Sequence, residues 1–255
     1  MAILLRTEKL KKYFGLVSAA DHIDLEIEEG VLTSIIGPNG AGKTTLVNLL
    51  TGNIFPDSGK VFFKEEEITH LPIHERVKKG ICRSFQIMNI FPKLTVFENV
   101  LIPIFALMNK SLSFYKLIDD HLDAKEKAEH LLNEIGLIDK KNLTAGILSH
   151  GDQRLLEIGL AMAPEPKLLF LDEPTAGMNP IERIKVLENI RKLSREKRST
   201  FVIIEHDMDI VFSLSDRIVV LHRGQIIADG TPEEIKKNEE VKKVYLGEEI
   251  FWQKR

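Results

Sequence analysis

Four short runs of apolar and β-branched residues stand out along the chain. They lie at residues 31–36, 168–171, 201–204 and 217–221. Runs of this length and composition predict buried strands. The segments between them, of which 181–193 is the clearest, carry apolar residues at helical spacing. Strands that alternate with helices predict a parallel sheet covered on both faces, and therefore an α/β fold.

Two parts of the chain depart from this alternation. Residues 3–29 and 59–63 alternate apolar and polar positions between turn residues, which predicts a small antiparallel sheet on the N-terminal side. Residues from about 87 to 147 have a mostly helical pattern, clearest at 124–137, and we interpret them as a helical insertion. Near the C-terminus, Thr231 followed by Pro232 and Glu234 predicts a capping box and a short helix.

Composition narrows the function classes. The formal net charge of −3 argues against nucleic-acid binding, which usually needs a strong basic excess. The single cysteine, Cys82, cannot form an internal disulfide, so a reducing compartment fits best, and we expect a small, semi-buried residue there. The N-terminus has no secretory signal pattern, and the longest apolar stretches, such as 100–108, are too short to span a bilayer. We therefore expect a chain that is soluble on its own.

The strand predicted at 31–36 runs into the sequence GPNGAGKT, residues 37–44, which we call the phosphate loop. It fits the pattern G-x-x-x-x-G-K-[ST] and precedes an amphipathic segment. Glycines let the backbone N–H groups wrap an anion, and the following helix points its positive end at the phosphates. Lys43 is expected to reach the terminal phosphates and Thr44 to place its hydroxyl on Mg²⁺.

The strand predicted at 168–171 ends in two carboxylates, Asp172 and Glu173. Ligands of α/β sheets bind at the carboxyl ends of the strands. In phosphate-loop enzymes an aspartate here organises Mg²⁺, and we assign proton abstraction from an attacking water to the adjacent glutamate. A guanine reader of the type Asn-Lys-x-Asp is missing after Asn109 and Lys110, so adenine is the favoured base.

An ordered set of motifs follows the chain: KKYFG with Tyr13, the phosphate loop, SFQ with Gln86, LSHGDQRLLEIG from Leu148, DEP with Asp172 and Glu173, AGMNP ending at Pro180, and IIEHD with His206. By these motifs, and over essentially its full length, the chain resembles the ATP-binding subunits of ABC transporters. We call residues 148–152 the signature segment. Ser149 and Asp152 also form the pattern of a capping box, which is compatible with a helix N-terminus that receives a γ-phosphate.

The resemblance implies a fold, a site and two cofactors, ATP and Mg²⁺. The fold is a P-loop NTPase core in residues 1–86 and 148–255, with an antiparallel β subdomain, and a helical subdomain at about 87–147. Tyr13 stacks on adenine, Gln86 contacts Mg²⁺ and water, and His206 lies near the γ-phosphate. The implied nucleotide contacts are Tyr13, Gly37, Pro38, Asn39, Gly40, Ala41, Gly42, Lys43, Thr44, Thr45, Gln86, Ser149 and Gly151, and the implied Mg²⁺ ligands are Thr44, Gln86 and Asp172.

The implied assembly is a pair of ATP-binding subunits that enclose two ATP molecules, in which Ser149 and Gly151 cap the nucleotide of the opposite subunit. The family commonly has glycine, glutamine and aspartate where this chain has His150, Asp152 and Asn179. These differences leave open whether the pair is a homodimer or a heterodimer. Integral-membrane permease subunits, and indirectly a solute-binding protein, complete the implied complex at the cytoplasmic face of the membrane.

The motifs are most similar to the ATP-binding subunit of branched-chain amino-acid importers. The implied enzyme is an ATPase that energises import. Subunits that import urea or short amides are an alternative. A soluble ABC-type ATPase acting on ribosomes or DNA is a second alternative, but the chain has one phosphate loop and neither heptads nor a basic arm.

Overall fold

A computed structural model describes residues 2–84, 90–107 and 122–246 of the 255-residue chain. The described residues fall into two units. The first lies within Met1–Lys78 and Thr200–Arg255, and the second within Lys79–Ser199. The helical insertion expected at 87–147 falls inside the range of the second unit.

The N-terminal sheet of the first unit is antiparallel, as predicted. Strand β1 (Ile3–Phe14) pairs with β2 (Val17–Ile23), β3 (Glu26–Glu28) and β5 (Ser58–Phe63), and β6 (Glu66–Glu67) pairs with β5. Leu5 and Thr7 of β1 are buried, whereas Arg6 between them is half-buried and Glu8 is exposed. The alternation of apolar and polar positions therefore places one face of this sheet against the interior.

A second sheet of the first unit contains the strand that leads to the phosphate loop. Strand β4 (Thr33–Ile36) lies between β9 (Thr200–Ile204) and β10 (Arg217–His222) and is parallel to both. These strands confirm three of the predicted buried runs. The prediction of a parallel sheet is wrong at one edge, because β11 (Gln225–Gly230) pairs with β10 in antiparallel orientation. Arg223 and Gly224, which join the two strands, both have positive φ, as a tight hairpin turn requires.

The helices of the first unit include the one that follows the phosphate loop. They are α1 (Lys43–Thr51), α2 (Ile73–Lys79), α7 (Met208–Leu214), α8 (Pro232–Lys237) and α9 (Glu239–Leu246). Helix α8 starts at the predicted capping box, where Thr231 and Glu234 exchange both hydrogen bonds. A buried cluster joins β4, β10, α7, α8 and α9, and its members are Ile36, Val211, Ile218, Val220, Ile235 and Val241.

Arg76 of α2 ties the end of α1 to its surroundings. The side chain is fully buried, and its five N–H donors all reach backbone carbonyl oxygens. The acceptors, at 2.7–2.9 Å, are Leu49, Leu50, Ile68, Thr69 and Leu71. Burial lowers the pKa of the guanidinium to about 10, so Arg76 remains charged at neutral pH. A cation beside the last carbonyls of α1 also opposes the negative end of the helix dipole.

The second unit combines two parallel strands with helices. Strand β7 (Ile81–Arg83) pairs with β8 (Leu168–Asp172), and the helices are α3 (Val96–Leu107), α4 (Leu122–Glu134), α5 (His150–Met162) and α6 (Pro180–Arg195). The strand predicted at 168–171 and the helix at 181–193 are confirmed. Helix α4 ends three residues before the predicted end at 137, and Gly136 follows it with φ of 72°. Such a glycine commonly ends a helix.

Packing inside the second unit brings α3 against α4 and α5, and α5 against α6. At Gly159 of α5 a Cβ atom would lie 2.7 Å from Ile135 Cδ1, so a larger residue there would require the Ile135 side chain to shift. Cys82 of β7 is buried, and burial raises the pKa of its thiol to about 11. The thiol is therefore protonated at neutral pH, in agreement with a structural cysteine.

An ion-pair cluster fixes the start of α5. Asp152, in the signature segment, is 3% exposed and binds two ammonium groups, Lys140 and Lys185, the latter at 2.6 Å. Burial alone would raise the pKa of Asp152, but the two lysines outweigh it and the pKa lies below its ordinary value. The predicted capping box is half formed: Ser149 Oγ accepts from Asp152 N at 3.2 Å, while the Asp152 carboxylate binds the lysines.

Helices able to cross a bilayer are missing from the three described ranges, since none is both long and apolar enough. The apolar stretch noted at 100–108 begins in α3, where Val100 and Leu101 are fully buried within the second unit.

We predict that Arg76→Met destabilises the chain by about 3 kcal/mol or more, because several buried carbonyls lose their donors. Urea unfolding followed by circular dichroism measures the change. Lys78→Met, at an exposed position of the same helix, is the matched control and should stay within about 0.5 kcal/mol of the wild type. Equal stability of the two variants would contradict the role given to Arg76.

We predict that Asp152→Asn lowers the free energy of unfolding at pH 7 by about 1–2 kcal/mol, between the values of exposed and buried ion pairs. Because the folded-state pKa is depressed, the contribution of Asp152 is present above its unfolded pKa of about 4 and is lost as the pH falls through the folded pKa. The difference between variant and wild type should therefore shrink below about pH 4. Thermal melts from pH 3 to 7 measure it, with Asp139→Asn, an exposed aspartate, as control. A difference that does not change with pH would contradict the ion-pair account.

Candidate nucleotide site

The phosphate loop connects β4 to α1, as the sequence predicts. A Cβ atom at Gly37 would lie 2.3 Å from the carbonyl oxygen of Leu221, and one at Gly42 would lie 2.3 Å from that of Ala19. Gly42 also has φ of 104°. Glycine is therefore required at both positions, because backbone carbonyl oxygens of β2 and β10 lie where a Cβ atom would be.

The N-terminus of α1 is arranged to receive an anion. Gly42 provides no side-chain cap, and the first turn of the helix contains no acidic residue. The Lys43 ammonium lies over the loop, where Nζ donates to the carbonyl oxygens of Gly37 at 2.6 Å and Pro38 at 3.1 Å. Thr44 is exposed and Thr45 is half-buried. Uncapped N–H groups, a helix dipole and an ammonium group at one place fit a polyphosphate.

Tyr13 lies near the end of β1, and its side chain is 43% exposed. Its backbone pairs with Ser18 of β2, the residue before Ala19, whose carbonyl oxygen touches the position of Gly42. Its backbone N–H donates to Asp57 Oδ2 at 2.7 Å. The β1–β2 hairpin thus connects an accessible aromatic ring to the phosphate loop within the first unit.

His206 follows β9 by two residues and is exposed. Because Ile35 pairs with Ile204 in parallel register, β4 and β9 end at the same edge of the sheet. The backbone N–H of His206 donates to Glu205 Oε2 at 3.3 Å, and Glu205 is itself 2% exposed. In the first unit, Tyr13 is therefore linked to the phosphate loop through the β1–β2 hairpin, and His206 is linked to it through the pairing of β4 with β9.

Asp172 ends β8 in the second unit and is 2% exposed. Its Oδ2 accepts from Arg83 Nη2 at 2.5 Å, and Arg83 is the last residue of the paired strand β7. Carboxylate oxygens are the kind of ligand that Mg²⁺ takes from proteins. Within the described ranges, no group of three histidine, cysteine or acidic side chains could hold a metal ion.

Glu173 follows Asp172, is half-buried, and has φ of 43°. A left-handed backbone is uncommon for a residue other than glycine, and such outliers cluster at functional sites. The carbonyl oxygen of Glu173 accepts from Ala176 N at 3.1 Å, which closes a turn after β8.

The signature segment begins α5 in the second unit. Ser149 is exposed, and its Oγ caps the helix. The backbone N–H of Gly151 donates to Glu182 Oε1 at 3.3 Å. Glu182 in turn accepts from Asn179 Nδ2 at 2.8 Å, and Asn179 caps α6. A carboxylate bound at the start of α5 demonstrates that this helix end accommodates an anionic oxygen.

Gln86 lies outside the described residues. Three functional neighbours escaped the sequence analysis, namely Arg83, Arg154 and Glu182, which contact Asp172, Glu173 and Gly151. Arg83 precedes Gln86 by three positions and Arg154 follows the signature segment by two, which is the signal that could have drawn attention to both. In the second unit Asp172 ends β8 and Glu173 directly follows it, while Ser149 and Gly151 lie at the start of α5.

Comparison with protein families agrees with these motifs. The model described as ABC transporter matches residues 20–176, and the model described as branched-chain amino acid ATP-binding cassette transporter matches residues 225–250. The high-affinity branched-chain amino acid transport ATP-binding protein BraF of Pseudomonas aeruginosa is 42% identical over 253 residues, which cover 96% of this chain and 98% of BraF. LivG of Escherichia coli is 39% identical, with the same coverage of both chains.

Solved structures give the same result. The ADP conformation of MJ1267, an ATP-binding cassette of an ABC transporter, matches with a TM-score of 0.85 and 36% identity, over 97% of this chain and 100% of that one. A nucleotide-free ATP-binding cassette matches with a TM-score of 0.82 and 36% identity, over 96% and 99%. The predicted P-loop NTPase fold is thereby confirmed, and the chain belongs to the ATP-binding cassette proteins of the ABC transporter family.

Proposed function

We propose that this chain is the ATP-hydrolysing subunit of an importer for branched-chain amino acids. The observation that carries the proposal is the phosphate loop, held by β4 in front of the uncapped N-terminus of α1. The relatives BraF and LivG, which the chain matches over 96% of its length, are named as branched-chain amino acid transport proteins and support the substrate class.

ATP would be held by the loop residues 37–45, by Lys43 at the terminal phosphates, and by Tyr13 against the adenine ring. Mg²⁺ would be held by Thr44, Gln86 and Asp172, and when bound it supplies positive charge that stabilises the transferring phosphoryl group. The ammonium of Lys43 adds to that charge. The lysine ammonium already lies at the loop, where it donates to two loop carbonyls.

Glu173 would accept a proton from the attacking water, and His206 would contact the γ-phosphate. The left-handed backbone at Glu173 supports this assignment, because strain of this kind is retained where a side chain must point in a particular direction. The exposure of His206 leaves its ring accessible to a ligand at the edge of the sheet.

A second ATP-binding subunit would complete the site, because Ser149 and Gly151 would meet the nucleotide of the opposite subunit. The exposed hydroxyl of Ser149 and the anion contact at Gly151 N support this role. Either a second copy of this chain or a related chain could serve as the partner.

Integral-membrane permease subunits would dock on the helical part of the second unit, at the cytoplasmic face of the membrane. Apolar side chains exposed there support the docking surface: Phe91 is 51% and Ile147 is 71% exposed. A backbone hydrogen bond of 2.9 Å from Gly146 N to the carbonyl oxygen of Pro92 connects the two short segments that carry them. A solute-binding protein would contribute indirectly, by delivering the solute to the permease.

We predict that Glu173→Gln lowers the rate of ATP hydrolysis by about 100-fold or more, because the amide cannot accept the proton of water. ATP affinity should stay within about threefold, since the charge contacts with phosphate remain. Single-turnover hydrolysis and titration with a fluorescent ATP analogue measure the two quantities. Glu188→Gln, an exposed glutamate of α6, is the matched control. Lys43→Ala should instead lose ATP binding, which separates binding from chemistry. Turnover of Glu173→Gln within threefold of the wild type would remove its role as the base.

We predict that source cells carrying Glu173→Gln in place of the wild-type chain lose uptake of labelled leucine, because transport needs the hydrolysis step. Uptake of labelled urea, measured in the same cells, should be unchanged. Loss of urea uptake alone would replace the substrate class by urea and short amides. Normal uptake of both solutes would contradict any import role for this chain in either class.

A further inference from the structure

Arg154 connects two parts of the proposed site that the sequence motifs treat separately. It lies in the first turns of α5, two residues after the signature segment, and is 7% exposed. Its side chain does not point to the helix N-terminus but to the loop that follows β8, where it contacts backbone atoms. These contacts indicate a role for Arg154.

The guanidinium group binds three consecutive carbonyl oxygens of that loop. Nη2 donates to Asp172 O at 2.5 Å and to Glu173 O at 3.0 Å, and Nε donates to Pro174 O at 3.2 Å. On its other side Nη1 donates to Glu157 Oε2 at 2.7 Å, one turn further along α5. The planar fork of arginine can serve several acceptors in fixed directions, which an ammonium group cannot do.

The middle carbonyl belongs to the strained residue. Glu173 has φ of 43° and precedes a proline, a position that favours extended backbone. Such a conformation persists only where its surroundings determine it. Here the backbone of Glu173 is held by the hydrogen bonds of Arg154 to the carbonyls of residues 172–174. The hydrogen bond from Ala176 N to the carbonyl oxygen of Glu173 adds to them.

Glu157 keeps Arg154 in this arrangement. The two side chains form an ion pair in which they are 9% and 5% exposed, so the charge of Arg154 is compensated within α5. Removing one partner of a buried ion pair leaves the other charge uncompensated. The direction of the guanidinium is therefore set by the helix that carries the signature segment.

We propose that Arg154 is a positioning residue that holds the backbone of Glu173 in its left-handed turn and makes the rate of hydrolysis depend on the placement of α5. The proposal rests on the proposed function, in which Glu173 is the base. It goes further in one respect. The helix that presents Ser149 and Gly151 to the nucleotide of one site also sets the base of the other site, so a displacement of α5 is passed to Glu173 through one side chain.

The first test compares Arg154→Gln and Arg154→Lys with Arg195→Gln, an exposed arginine of α6, in the purified full-length chain. We expect single-turnover hydrolysis to fall about 10- to 100-fold in both Arg154 variants, the range expected for a misplaced catalytic group. ATP affinity should stay within about threefold, and Arg195→Gln should match the wild type in both. A rate for Arg154→Gln within twofold of the wild type would overturn the proposal.

A double-variant cycle tests whether Arg154 acts through Glu173. If it does, adding Arg154→Gln to Glu173→Gln should lower the rate by less than twofold, because the base is already absent. A further 10- to 100-fold loss would mean that the two residues act independently, and would overturn the proposal. Wild-type turnover of Glu173→Gln would instead defeat the proposed role of Glu173, a result distinct from a normal rate in Arg154→Gln alone.

Hydrogen exchange in the nucleotide-free chain gives a readout apart from activity. The amide of Ala176, which closes the turn at Glu173, should exchange about tenfold faster in Arg154→Gln than in the wild type or in Arg195→Gln. Glu157→Gln keeps the arginine and removes only its anionic partner, so it serves if Arg154→Gln fails to fold. It should lower the hydrolysis rate about three- to tenfold with ATP affinity unchanged, and an unchanged rate would count against the proposal.

Discussion

A helix whose first N–H groups are kept for a ligand must be held in place from elsewhere. Helix α1 has no side-chain cap, and the glycines that begin it are fixed by close backbone contact with Ala19 and Leu221. Its other end is fixed by Arg76, which binds the carbonyls of Leu49 and Leu50. The hydrogen bonds of Arg76 go to five backbone carbonyl oxygens and to no carboxylate. These five bonds offset the free-energy cost of burying its charge. Because Arg76 holds the C-terminal end of α1, the N-terminal end stays open to an anion.

In the second unit, too, a buried arginine binds backbone carbonyls where the backbone is irregular. Asp172 ends β8, and Glu173 follows it with a left-handed backbone that a residue before a proline disfavours. Arg154 binds the carbonyls of this loop as Arg76 binds those around α1. In both cases a guanidinium replaces regular secondary-structure hydrogen bonds where the backbone must be irregular. Arginine suits this use because its five donors are rigidly placed and its charge persists when buried.

Local patterns allowed much of this fold to be predicted from the sequence. The buried strands, the antiparallel N-terminal sheet, the phosphate loop and the helix at Thr231 all depend on neighbouring residues, so their patterns were sufficient. Strand β11 was missed because its residues are only half-buried and carry little periodicity. The hydrogen-bond partners of Arg76, Arg83 and Arg154 could not be predicted, since each arginine binds at least one atom that is distant in sequence, and an arginine in a helical or strand pattern is usually a surface residue.

Two residues that depart from the common family pattern, Asp152 and Asn179, have defined partners near the start of α5. Asp152 is neutralised by Lys140 and Lys185, so an acid at this position adds little net negative charge to the start of α5. Asn179 reaches the same helix end through Glu182, which binds Gly151 N. Neither residue displaces Ser149 Oγ or blocks the fold of the turn. These two departures therefore change the charged and hydrogen-bonded groups around the start of α5 and leave the cap that Ser149 provides in place.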